Sequence, residues 1–98
     1  MPVLERAIID VTPGREDDFE AATVLATPVI AATEGFVSIR WLRGVESPSR
    51  FLLLVEWESV EAHLENFRNS EAFGRWREII GPFFAAPPDV EHYRALAA

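Results

Sequence analysis

Arg50-Phe51-Leu52-Leu53-Leu54-Val55-Glu56-Trp57 is the stretch on which the fold turns. Phe51 to Val55 are apolar on both parities, which predicts a β-strand with both faces covered. Just upstream, Phe36 to Arg43 (FVSIRWLR) is another strand, and Gly44-Val45-Glu46-Ser47-Pro48-Ser49 between them has turn chemistry. A short polar loop joining two strands predicts an antiparallel hairpin.

The pattern extends outward in both directions. Val3 to Val11 (VLERAIIDV) reads as a first strand, with Val3, Ala7, Ile9 and Val11 on one parity and Leu4 and Ile8 on the other. Thr12-Pro13-Gly14 breaks it. Arg15-Glu16-Asp17-Asp18 then opens a helix, with acids near its positive end and Phe19, Ala22, Ala26, Val29 and Ile30 at helical spacing. Pro28 is expected to kink or interrupt this helix, because proline removes a donor and crowds the preceding turn. Glu34-Gly35 supplies the stop. Downstream of the hairpin, Ser59 is placed to cap a short helix from Val60 to about Arg68. Ser70 is placed to cap a second, from Glu71 to about Ile80, with Phe73, Trp76 and Ile80 on one face. Pro82, Pro87 and Pro88 force an extended path into a last strand, Asp89 to about Leu96. The order β-α-β-β-α-β with a split second helix is ferredoxin-like: an α+β fold with one four-stranded antiparallel sheet, in a single domain over residues 1–98.

Two helices cover one face of such a sheet. The doubly apolar third strand then asks for a second cover, and the sheet of another copy is the economical one, so a homodimer through the sheet face is expected. Ser38, Arg40, Glu5 or Arg6, His92 and Arg94 are spread over the strands. They either line a cavity on a covered face or sit at strand ends in water.

Composition narrows the function classes. The 98 residues are 49% hydrophobic and 26% charged, a globular balance that excludes a disordered chain. There is no cysteine, which removes disulfides, thiolate catalysis and cysteine-ligated zinc or iron–sulfur sites. Sixteen acids oppose nine bases, all arginine, for a net charge of −7, a balance that repels nucleic acid and anionic membranes alike. Ala21 to Thr33, the longest weakly apolar stretch, is too short to span a bilayer and contains Pro28. Met1-Pro2-Val3-Leu4-Glu5 shows no signal-peptide pattern, and a cytoplasmic location is expected.

Two histidines carry the proton chemistry open to this chain. On the short helix Val60, Leu64 and Phe67 define a buried stripe, and His63 borders it. Such an imidazole either reaches a cavity, where its near-neutral pKa suits proton abstraction, or is a half-buried structural group. His92 alternates with Glu91 and Tyr93 on the last strand and lines a cavity or a strand edge. Trp57, six residues before His63, either walls a pocket or packs in the core, whereas Trp41 and Trp76 fit core positions. Arg40 and Arg68 have the chemistry to hold an anionic or phenolate ligand, or lie on the surface. Glu58, Glu61 and Glu65 read as a solvated helix face, and Glu71 with Arg75 as an i, i+4 pair. No histidine cluster, GxGxxG, P-loop or GxSxG is present, so no metal or cofactor is expected.

The run from Trp57 through WESVEAHLENFRNSEAFGRW to Trp76, followed by Pro87-Pro88-Asp89-Val90-Glu91-His92-Tyr93, resembles the antibiotic biosynthesis monooxygenase family. Thr12-Pro13-Gly14-Arg15-Glu16 and Thr33-Glu34-Gly35-Phe36 fit the same family. The resemblance implies a dimeric α+β barrel, two ferredoxin-like subunits packed sheet to sheet around cavities. It also implies an oxygenase that oxidises anthrones or quinols with dioxygen and needs no metal, flavin or haem. Anthrone-oxidising members carry a Trp–Asn–Tyr set. Trp57 matches the tryptophan and His63 stands at the tyrosine position, but the asparagine position falls on Leu53, a departure that weakens the carry-over of anthrone chemistry. Relatives that degrade haem use Asn, Trp and His. Here Ala7, Asn66 and the Arg75–Arg77 region stand at those places, so haem degradation does not carry over. The site expected from sequence is thus His63 as proton acceptor and Trp57 beside it, with Arg40, Leu53, Phe67 and His92 around a small aromatic ligand. The rival expectation is a non-catalytic dimeric module that binds a small molecule or serves in stress response.

Overall fold

A computed structural model describes residues 1–97. The elements are β1 (Val3–Asp10), α1 (Glu16–Ala31), β2 (Phe36–Arg43), β3 (Arg50–Trp57), a π-helical turn (Ala62–Phe67), α2 (Glu71–Ile80), a 3-10 turn (Gly81–Phe83) and β4 (Asp89–Tyr93). The four strands form one antiparallel sheet in the order β2-β3-β1-β4, the ferredoxin-like arrangement the pattern predicts. β1 and β3 are central. In their register Glu5 faces Val55, Ala7 faces Leu53 and Ile9 faces Phe51.

Alternation decides which face each residue serves. On β1 and β3 the odd residues are buried under the helices, and Ile9, Phe51, Leu53, Val55 and Trp57 are all at most 3% exposed. The even residues form the open face. There Ile8, Leu52 and Leu42 lie side by side across three strands and are only half-buried. The doubly apolar third strand is therefore sealed on one side by its own chain and partly open on the other.

Several local expectations shift. α1 runs through Pro28 without interruption: the missing donor falls in its last turn, where the Thr27 hydroxyl donates to the Thr23 carbonyl at 2.8 Å. Ser59 caps as expected, its Oγ accepting from the Ala62 N–H at 3.1 Å. Ser70 does not, because its hydroxyl donates backward to the Phe67 carbonyl at 2.7 Å. β4 ends at Tyr93, short of Leu96. Before β4 the chain already lies against the end of β1, with Thr12 N–H to Phe83 O at 2.8 Å and Ala85 N–H to Asp10 O at 2.7 Å.

The junction between α1 and β2 closes on Gly35. Its φ is +93°, and a Cβ there would meet the Cβ of Ala62 at 2.5 Å, while its carbonyl accepts from the Glu58 N–H at 2.8 Å. Gly14 has nearly the same φ, +92°, but open space around it. Gly14→Ala should therefore cost only the left-handed strain, about 1 kcal/mol. Gly35→Ala adds a clash with the start of the π turn and should cost clearly more, about 2–3 kcal/mol in total. Urea unfolding of the two variants checks the difference.

Candidate functional site

The site begins with Glu5, a carboxylate placed by strand alternation among Val3, Ala7, Ile9 and Val11 on the helix-facing side of β1. It is 5% exposed. A buried carboxylate without partners is costly, and here the indole of Trp57, diagonally across on β3, donates Nε1–H to Glu5 Oε1 at 2.9 Å. Burial pushes the Glu5 pKa up; the Trp57 bond and the charge of Arg68 pull the other way.

His63 stacks on that indole, ring centroids 5.3 Å apart and planes 17° from parallel. Its Nε2 lies 3.4 Å from Glu5 Oε1, and its Nδ1 lies 2.8 Å from Nε2 of His92. His92 reaches it because β4 pairs with β1 in a register that sets His92 opposite Glu5. The π turn supplies the rest of the placement. The Arg68 N–H donates to the His63 carbonyl at 3.0 Å, an i→i+5 bond that widens the turn by one residue. That widening moves the buried stripe from the expected Val60, Leu64 and Phe67 to Ala62, His63 and Phe67, and leaves Leu64 38% exposed. His63 is thus not at the border of the buried face but inside it, 4% exposed. Burial first, then His92 and Arg68, lower its pKa to about 4, so the ring is neutral at pH 7. His92 is shifted down as well, by burial and then Arg68.

Glu5, His63 and Arg68 border a cavity of about 590 Å3, within the range that small-molecule pockets occupy. Its sheet wall is Glu5, Ala7, Ile9 and Leu53. Phe67, Phe73, Trp76 and Ile80 form the helical wall, the loop Ala85–Pro88 closes one side, and Arg68 and Arg77 add positive charge. The cavity lies between sheet and helices of one chain, not on the second sheet face where the polar residues of the strands had suggested a lined space. Leu53, Phe67 and His63 line it. Trp57 does not: it is fully buried behind His63 and sets that ring's position. His92 stands behind His63 on the far side. Arg40, opposite Leu54 on the open face, does not line this cavity. Sequence reasoning named Glu5 only as an alternative to Arg6 among strand residues that line a cavity or meet water, and left it out of the expected site, although one acid on an otherwise apolar parity was a visible signal. Arg77 was missed as well, and nothing in its spacing separates it from a surface arginine.

The donor set does not suit a metal. Among the described residues no group of three histidine and acidic side chains is placed to hold one. His63 spends its two nitrogens in opposite directions, toward Glu5 and toward His92, and a ligand set must converge. Among the described residues no helix is long and apolar enough to cross a membrane.

A family profile described as antibiotic biosynthesis monooxygenase matches residues 2–79. The chain belongs to that family. It is 40% identical to a Bordetella bronchiseptica protein named for the antibiotic biosynthesis monooxygenases, whose crystal structure superposes with a TM-score of 0.94 over 98% of both chains. It is also 35% identical over 92 residues to the uncharacterized protein YczJ of Bacillus subtilis (strain 168), covering 94% of this chain and 97% of the relative. SnoaB of Streptomyces nogalater, a cofactor-independent oxygenase, shares the fold at a TM-score of 0.84, over 99% of this chain and 95% of SnoaB, with 15% identity. In this member of the antibiotic biosynthesis monooxygenase family, Leu53 is an apolar part of the cavity wall and His63 is buried beside it.

The site predicts a pH dependence of stability. His63 has a folded pKa near 4 against its ordinary 6.5, so the unfolded chain binds the extra proton first as pH falls. Stability from this group is full above pH 6.5 and declines toward pH 4, by about 3 kcal/mol at most. Glu5, raised above its ordinary 4.5, acts oppositely: its contribution is full below 4.5 and is lost as pH rises. Urea titrations between pH 4 and 7 should show a shallower acid-side loss in His63→Gln and a steeper one in Glu5→Gln.

Proposed function

We propose that this chain is a cofactor-independent monooxygenase that oxidises a polycyclic aromatic or quinol-type substrate with dioxygen in the cavity. The observation that carries the reading is the buried, neutral His63 set in an otherwise largely apolar cavity wall. His63 takes a proton from the acidic O–H or C–H of the bound aromatic. The resulting anion gives one electron to dioxygen, and the radical pair closes a C–O bond as a peroxide. Return of the proton to the outer oxygen lets the O–O bond break and water leave, while loss of the remaining C–H proton yields the carbonyl. Arg68 and Arg77 stabilise the anion, and the apolar walls exclude water from it. Leu53 in place of an amide favours a second reading, a module that binds such aromatics without oxidising them.

Oxygen uptake with anthrones and naphthoquinols separates the two. Turnover that falls about 100-fold or more in His63→Ala supports the oxygenase. A ligand at 100 times its Kd, stabilising the fold by about 2.7 kcal/mol without oxygen uptake, supports the binding module. No ligand effect and no uptake would end both readings.

We further propose that the open sheet face packs on a second copy. The row Ile8, Leu52 and Leu42 gives that face an apolar seam. Leu52→Glu should convert the sedimenting species from dimer to monomer with an unchanged circular dichroism spectrum; a wild-type monomer would refute the interface.

A further inference from the structure

His63 is badly suited to keeping the proton it takes. It packs against the indole of Trp57 and the ring of Phe67, which themselves touch, and it is almost sealed from bulk water. A base this weak, whose conjugate acid is correspondingly strong, returns its proton to a phenol unless the proton has somewhere else to go. The structure supplies one exit. His63 Nδ1 and His92 Nε2 are 2.8 Å apart, a hydrogen bond that requires one of the two nitrogens to carry the proton and the other to accept it. His92 is the half-buried member of the pair. Its Nδ1 has no hydrogen-bond partner among the described residues, and it is not among the buried polar atoms left unpaired, so it meets solvent.

We propose that Glu5, His63 and His92 form a proton path between the cavity and solvent, in which His92 carries protons to and from the ring that touches the substrate. This rests on the oxygenase reading above. At the start both rings are neutral and protonated on Nδ1. A substrate proton bonds to His63 Nε2, the Nδ1–H of His63 breaks as its proton crosses to His92 Nε2, and the Nδ1 proton of His92 leaves to water. One proton enters, one leaves, and no electrons move. Both rings end neutral, protonated on Nε2. The reverse passage delivers the proton needed when the peroxide collapses, which also resets the rings. Glu5 is the group that makes the crossing possible: its carboxylate, 3.4 Å from His63 Nε2, offsets the positive charge that the ring bears in transit. Arg68 and Arg77 are the cations on the cavity side and act against that charge, so Glu5 is the sole acid beside it among the described lining residues.

His92 is therefore a positioning residue that acts through His63. His92→Gln keeps a hydrogen-bonding side chain but does not relay, so kcat should fall tenfold or more with KM within about twofold. In His92→Ala, added imidazole should restore kcat in proportion to its concentration, whereas the wild type should not respond. A merely structural role would raise KM and ignore imidazole, and that result, or unchanged kcat in both variants, overturns the path. Should the wild type turn over no substrate, the oxygenase reading fails, and the path is judged separately by 15N NMR of the two imidazoles. A proton shared between His63 Nδ1 and His92 Nε2, lost in His92→Gln, keeps it. Two rings that titrate independently remove it.

Discussion

The hydrogen bond from Trp57 Nε1 to Glu5 Oε1 holds the site together. It spans the two central strands and gives a buried carboxylate the donor that makes its burial tolerable. It also fixes the plane of the indole, and the indole fixes the imidazole stacked on it. Without that bond Glu5 would be an uncompensated charge under the helices, and His63 would have neither a platform nor an acid at 3.4 Å. The β1–β3 register is thus more than scaffold: shifting it by one residue would turn Glu5 to the open face and empty the site.

The π turn is the second determinant. An ordinary α-helical turn over the same residues would bury Leu64 and leave His63 at the rim. The extra residue in the turn brings His63 and Phe67 inward together. Gly35 makes room for this turn, since its missing side chain is what lets Ala62 approach. A loop glycine and a widened helical turn, far apart in sequence, therefore act on the same imidazole.

The strands were legible because alternation and turn chemistry are local: the boundaries of β2 and β3 follow directly from FVSIRWLR and RFLLLVEW. The π turn was not, because its signal is a hydrogen-bond shift that leaves the side-chain types unchanged. Arg40 was read toward a cavity from its charge and its place on a strand, and the register puts it on the open face. Which parity faced the helices depended on how far each strand was buried, and only β1 gave that away, through four apolar residues surrounding Glu5. Glu5 was left undecided against Arg6, because without the parity either residue could be the one turned inward. The contact between His63 and His92 joins residues 29 apart in the chain, and no local pattern reports such a distance.

The stacking of His63 on Trp57 also gives the protein an optical handle. Trp41 and Trp76 stack on each other at 5.5 Å and on no titrating ring, whereas the indole of Trp57 lies face to face with one. Protonating that imidazole turns a neutral stack into a cation held against an indole. An imidazolium quenches indole emission where a neutral ring does so weakly. The charge state of the site is therefore written into the fluorescence of a residue buried behind the cavity wall.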